Sequence, residues 1–179
     1  STIEDPVEYQ IEGMTQIQVR PEIELTFANG LRALLRQTPD VIMVGEIRDF
    51  ETADIAVKSS LTRHLLLSTL HTNDAPRAVA RLMDLVVEPY LIASSLIVVG
   101  AQRLCRLVCT GCREEVSLSE ELLKRIGIRE SEGPFYAGKG CRKCNKTGYY
   151  GRVALLEVLE LDEGVRDLVL NRASSEEIF

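Results

Sequence analysis

The chain has 179 residues, a length that makes one domain or one domain with a small appendage. Hydrophobic residues at 45% and charged residues at 27% suit a buried core and exclude a disordered tail. The longest uncharged stretch, Pro89 to Gln102, has 14 residues, short of the roughly 20 that a membrane-spanning helix needs. The net charge of -6 argues against a nucleic-acid coat over the whole surface. The opening Ser1-Thr2-Ile3-Glu4-Asp5-Pro6 is neither a basic nor an apolar targeting segment, and it reads as the middle of something longer.

Charge is unevenly placed along the chain. Residues 1–30 hold one base and six acids, residues 31–100 seven and eight, and residues 153–179 two and seven. Residues 101–152 hold eleven bases and six acids, and also all five cysteines. Charge and cysteine together mark a separate module.

In chain order, three segments share one pattern, a short apolar run that ends in acidic or histidine-bearing residues. The first is Thr2-Ile3-Glu4-Asp5-Pro6-Val7-Glu8. Leu31, Leu34 and Leu35 then predict a helix ended by Pro39. The second run, Asp40 to Val44, leads into Gly45-Glu46-Ile47-Arg48-Asp49. Val41–Val44, like Leu65–Leu67 further on, is continuously apolar, as expected of parallel strands covered on both faces. Asp49 is placed to cap a helix carrying Phe50, Ala53, Val57 and Leu61 at helical spacing. The third run, His64 to Leu70, contains the strand-like Leu65–Leu67 and leads into His71-Thr72-Asn73-Asp74. Asp74 can cap a further helix with Val79, Leu82 and Val86 as its stripe.

Strands alternating with helices predict an α/β fold with a parallel sheet and right-handed crossovers. Ligands of such sheets bind beyond the carboxyl ends of the strands. The clusters Glu4/Asp5/Glu8, Glu46/Arg48/Asp49 and His71/Asn73 fall there, and carboxylates gathered with arginine suit Mg²⁺ and a polyphosphate. A single strand-end glutamate is usually a solvated loop residue, and a single histidine usually satisfies a local hydrogen bond. Three such clusters in register favour a site. His64 and His71 bracket one strand; seven residues apart, they would face opposite sides if it ran unbroken, leaving one of them to core or interface.

Cys109-x2-Cys112 and Cys141-x2-Cys144 are two C-x-x-C pairs. Two such turns supply the four tetrahedral ligands of a structural Zn²⁺ site, a closed site with no open position for chemistry. Gly111, Gly140 and Gly148 allow sharp backbone paths, and Arg113, Arg142, Lys143 and Lys146 offset the thiolate charge. A pair of disulfides is one alternative, disfavoured by the odd fifth cysteine, Cys105, which lies in a strand-like Arg-Leu-Cys-Arg-Leu; a redox C-x-x-C would explain one pair but not two, and an empty site is the remaining alternative. With only Phe135, Tyr136, Tyr149 and Tyr150 as stacking surfaces, the basic module reads as a solvated or protein-docking face rather than a nucleic-acid binder. Gly133 to Gly140 matches G-x4-G-K, the phosphate-binding loop, but Gly140 stands where Ser or Thr is required. The segment also follows a polar run and enters a C-x-x-C turn, so it is rejected.

These motifs carry a likeness to a known family. Thr2 to Glu8 resembles the aspartate box of the type II secretion and type IV pilus assembly ATPases. Pro39 through Asp49 resembles their atypical Walker B, and His64 through Asp74 their histidine box. The cysteine pairs resemble the zinc module of the secretion and pilus-extension branch, which retraction motors lack. The likeness covers nearly the whole chain, in order.

The resemblance implies a hexameric, RecA-like motor that hydrolyses ATP with Mg²⁺, cytoplasmic and peripheral to the bacterial inner membrane. Its partners would be an inner-membrane platform protein and a cytoplasmic adapter, with nucleic acid unexpected. It implies Glu46 as the Walker B glutamate that polarises water, and Glu8 with Glu4 and Asp5 beside Mg²⁺ and the γ-phosphate. His71 would sense the nucleotide with His64 in support. Arg48, Arg32, Arg36 and Arg81 match basic positions at the active site or between subunits. Arg63 stands where the family has Gly, and Thr38 where it often has Asp. The expected organisation is an incomplete RecA-like core over 1–104, a zinc module over 105–150 with Cys109, Cys112, Cys141 and Cys144 as ligands, and a return strand and helix over 151–179. With the phosphate-binding loop expected upstream of Ser1, these residues alone should not hydrolyse ATP. The competing class is an inactive zinc-bearing adapter or a nucleic-acid-binding module.

Overall fold

Short apolar runs and side-chain caps decide the architecture of the first hundred residues. The computed structural model describes residues 1–62, 64–129 and 133–179; the Arg63 position lies outside them. Two compact units result, Ser1–Ala101 with Glu157–Phe179, and Gln102–Leu156.

In the first unit, β1 (Thr2–Glu4), β2 (Gln16–Gln18), β3 (Val41–Val44) and β4 (Leu65–Ser68) form a sheet of order β2-β1-β3-β4. Every pairing is parallel, with Thr2 beside Met43 and Val44 beside Ser68. The carboxyl ends of β1, β3 and β4 therefore share one edge. Helices α1 (Phe27–Leu35), α2 (Phe50–Ser60), α3 (Ala75–Asp84) and α4 (Pro89–Ser95) connect and cover the strands. Thr26, Asp49 and Asp74 cap α1, α2 and α3, their side chains accepting from the backbone N–H of Asn29, Thr52 and Arg77. Ile3, Leu31, Leu34, Ile42, Val44, Ala53, Val79 and Ile92 are fully buried in one core. Gly30 is a packing requirement, because a Cβ there would lie 2.0 Å from Ile3 Cδ1.

Two expectations are corrected. Coverage on both faces holds for Ile42 and Val44, but Val41, Leu65 and Leu67 are 43%, 49% and 51% exposed. β4 is one of the two edge strands of the sheet, and from it Leu66 packs against the core. Val86 does not continue the α3 stripe: the helix ends at Asp84, and Val86 turns out at φ 64 with 70% exposure. Val87 enters the core in its place.

β5 (Val98–Val108) pairs with β8 (Tyr149–Glu160) in a two-stranded sheet. Within the second unit, β6 (Arg113–Val116) and β7 (Phe135–Gly138) pair antiparallel, with α5 (Glu120–Ile126) between them in sequence. The would-be phosphate loop is thus strand β7 running into the second cysteine turn. After β8, the chain forms α6 (Glu163–Leu170) and α7 (Ser175–Ile178), whose Val169 and Ile178 are buried in the first unit's core. Among the described residues no helix is long and apolar enough to cross a membrane.

Candidate functional site

At the carboxyl edge of the sheet a cavity of about 410 Å³ is lined by Glu4, Asp5, Glu8, Gly45, Glu46, Thr69 and His71, among others. Gly45 lets β3 leave the sheet against β1, since a Cβ there would meet Ile3 O at 3.3 Å and Glu4 Cα at 3.4 Å. The next residue, Glu46, is 8% exposed. Its Oε1 pairs with the Arg48 guanidinium, and its Oε2 accepts from His71 Nε2 at 2.9 Å. A carboxylate can only accept, so Nε2 carries the proton in this contact. Arg48 holds the Glu46 carboxyl below its usual value, outweighing burial, and His71 adds to the effect. Reciprocally, Glu46 raises Arg48.

Glu4 is held differently. Its Oε1 accepts from Thr2 Oγ1 and from Gln16 Nε2 at 3.0 Å. Gln16 also donates to Tyr9 O at 3.0 Å and accepts from Ile11 N at 2.7 Å, which fastens the loop carrying Asp5 and Glu8. Sequence reasoning missed Gln16 and Thr69, because a single polar side chain that bonds loop or neighbouring-strand backbone leaves no periodic or motif signal.

Other candidates are not brought to this cavity. His64 sits at the amino end of β4, its Nδ1 3.3 Å from Ser59 O, and β4 stops at Ser68, so no unbroken strand joins the two histidines. Arg32 pairs with Glu51 at 2.6 Å on the surface. Arg36 is exposed just past α1, and Arg81 is exposed in the last turn of α3. Asp49 is committed to its cap, bonding Thr52 N at 2.8 Å and Thr52 Oγ1 at 3.1 Å. A second cavity of about 320 Å³, lined by Ala56, Val57, Leu66, Leu82, Val99 and others, has no titratable side chain on its walls.

In the second unit Cys109, Cys112, Cys141 and Cys144 converge, with all four Sγ atoms within 4.8 Å of one another. The Sγ pairs 109/141, 112/144 and 141/144 are 3.9, 3.8 and 3.8 Å apart. A tetrahedral ion with bonds of ~2.3 Å demands about 3.8 Å between sulfurs, so this set fits Zn²⁺. Gly140, at φ +95, and Gly148, at φ +79, shape the second turn. The Cys141 N–H donates to Cys144 Sγ at 3.1 Å and is the main reason that thiol is pulled down to about 6. Desolvation pushes Cys112 up to about 12, and its thiol neighbours add to this.

An acidic pocket at the carboxyl edge of a parallel sheet, where α/β proteins bind their ligands, is followed in the chain by a four-cysteine cluster that could hold a metal, and together they define an α/β protein with a cysteine-bearing appendage. The chain matches the family described as Type II/IV secretion system protein over residues 1–179, and it belongs to that family. It is 52% identical to the type IV pilus assembly ATPase PilB of Thermus thermophilus over 99% of this chain and 20% of that protein. It is 51% identical to the type II secretion system protein E of Dickeya dadantii over 94% of this chain and 34% of that one. The chain thus spans between a fifth and about a third of these relatives. Among solved structures it resembles the pilus retraction motor PilT with bound ADP, at a TM-score of 0.65 and 29% identity, over 96% of this chain and 41% of that one. The Legionella pneumophila ATPase DotB gives a TM-score of 0.60 and 27% identity over 99% and 40% of the two chains.

Proposed function

We propose that this chain supplies the catalytic carboxylates and the zinc module of a hexameric, RecA-like motor ATPase that powers type II secretion or type IV pilus assembly, cytoplasmic and peripheral to the inner membrane. The observation that carries this reading is the buried Glu46, clamped by Arg48 and His71 on a cavity wall with Glu4, Asp5 and Glu8. Half-identical relatives named as ATPases of those systems support it.

In this reading Glu46 stays ionised at neutral pH and accepts a hydrogen bond from the water that attacks the γ-phosphate in line. A carboxylate lowered by arginine is a weaker base, so orienting the water outweighs removing its proton. Asp5, Glu8 and Glu4 would hold Mg²⁺ or its water shell, and Mg²⁺ when bound neutralises charge on the phosphates. His71, bonded to Glu46 and open to the cavity, is placed to couple nucleotide contact to the carboxylate; Arg48 holds that carboxylate in position. His64 acts from the amino end of β4, as a support rather than a contact. Arg32, Arg36 and Arg81, all exposed, serve between subunits. Zn²⁺ on the four cysteines fixes the fold of the second unit and takes no part in hydrolysis. An inner-membrane platform protein and a cytoplasmic adapter are the proposed partners.

Glu46→Gln in a full-length protein carrying this chain should abolish turnover and leave nucleotide binding within about threefold. Retained hydrolysis would remove Glu46 from the role.

A further inference from the structure

The segment carrying Glu46 is fixed from both sides, and one residue of β4's exit, Thr69, makes two of the three bonds that hold it. On the β1 side, Gly45 N donates to Ile3 O at 2.8 Å. On the β4 side, the regular ladder ends at Val44 beside Ser68, yet Thr69 makes two more bonds. Its carbonyl accepts from Ile47 N at 3.1 Å, and its hydroxyl donates to Gly45 O at 2.7 Å. The two bonds grip the residues immediately before and after Glu46. Thr69 lines the same cavity as Glu46 and His71, although Glu46 takes its side-chain bonds from Arg48 and His71.

We propose that Thr69 is a positioning residue for Glu46: its hydroxyl and its carbonyl together set where the Glu46 backbone leaves β3. The inference rests on the reading of Glu46 given above. A glutamate that orients water works only within a fraction of an ångström of its productive place. The carbonyl bond survives any substitution at Thr69, whereas the Oγ1–Gly45 bond depends on a hydroxyl. Without it Gly45 O loses that partner, and the turn, held by one bond fewer, can shift by the fraction of an ångström that matters at Glu46.

The test uses the full-length protein. Thr69→Val keeps the shape and removes the donor, while Thr69→Ser keeps the donor. Thr69→Val, and Thr69→Ala as a second deletion of the hydroxyl, should lower kcat by about 10- to 100-fold with KM for ATP within about twofold. Thr69→Ser should restore kcat to within about threefold. Added to Glu46→Gln, Thr69→Val should cause no further loss of the residual single-turnover rate, since both changes remove one contribution. Unchanged kcat in Thr69→Val, a rise in KM in place of a fall in kcat, or an additive loss in the double variant would each overturn the positioning role while leaving Glu46 in place. Full hydrolysis by Glu46→Gln overturns the underlying reading and this role with it.

Discussion

Zinc retention should depend on a glycine that supplies no ligand. Gly138, the last residue of β7, packs against Gly148 so closely that a Cβ on Gly138 would lie 2.1 Å from Gly148 O. The obstacle is backbone, which cannot swing aside. Opening that contact to the 3.0 Å lower limit requires about 0.9 Å of displacement. Gly148 O accepts from Cys109 N at 2.9 Å, and Lys139 N, next to Gly138, donates to Cys112 O at 3.1 Å. The strain therefore passes directly into both ligands of the first cysteine pair. Zinc sites tolerate roughly 0.2 Å in ligand distance, so Gly138→Ala should weaken Zn²⁺ binding at least tenfold, about 1.4 kcal/mol. Gly127→Ala is the control: it forces alanine to φ +71 in open space, costing about 1 kcal/mol of local strain without touching the ligands. Competition against a chromophoric chelator reads the affinities, and elemental analysis the stoichiometry. Wild-type zinc affinity in Gly138→Ala, or an equal loss in Gly127→Ala, would refute the reasoning.

Two further outcomes follow from the first unit. Gly30→Ala should destabilise it by about 1 kcal/mol in urea unfolding, because overpacking against buried Ile3 exceeds the gain in helix propensity. Combining it with Ile3→Val, which removes the obstructing Cδ1, should recover that loss; additive destabilisation would contradict the packing account. Lowering of the Glu46 carboxyl by Arg48 and His71 fixes the sign of its pH effect. The ionised form stabilises the fold fully above the ordinary value of 4.5, and this contribution disappears as pH falls through the depressed folded value. Denaturation midpoints of the wild type and Glu46→Gln should accordingly differ at pH 7 and converge in acid; a constant gap would show that the pairing does not stabilise the fold.

What the sequence made legible was local. Asp49 and Asp74 are recognisable as caps because the carboxylate sits three residues before the N–H it accepts from. The Val41–Val44 and Leu65–Leu67 runs announce strands through their apolar continuity. The exposure of Leu65 and Leu67 was not legible, because it depends on which strand lies at the sheet edge; Val41, at the start of the interior strand β3, is exposed without that cause. The convergence of four thiols follows from the spacing of two C-x-x-C turns, whereas the bond between His71 and Glu46 spans 25 positions and is set by sheet register. Gln16 and Thr69 escaped notice for a related reason: Gln16 reaches Glu4, and Thr69 reaches Gly45 O, only because parallel pairing sets their strands side by side. Val86 was misplaced because helical spacing says nothing about where a helix stops.

The path of the chain around its cysteine-bearing unit has an architectural consequence. The first unit is left at Ala101 and rejoined at Glu157, and beside those points Leu161 N donates to Ile97 O at 3.0 Å. Exit and re-entry are thus neighbours, and excising the intervening stretch would leave a gap that a tight turn can bridge. Such a seam lets evolution add or discard the appendage without rewriting the body that carries Glu46.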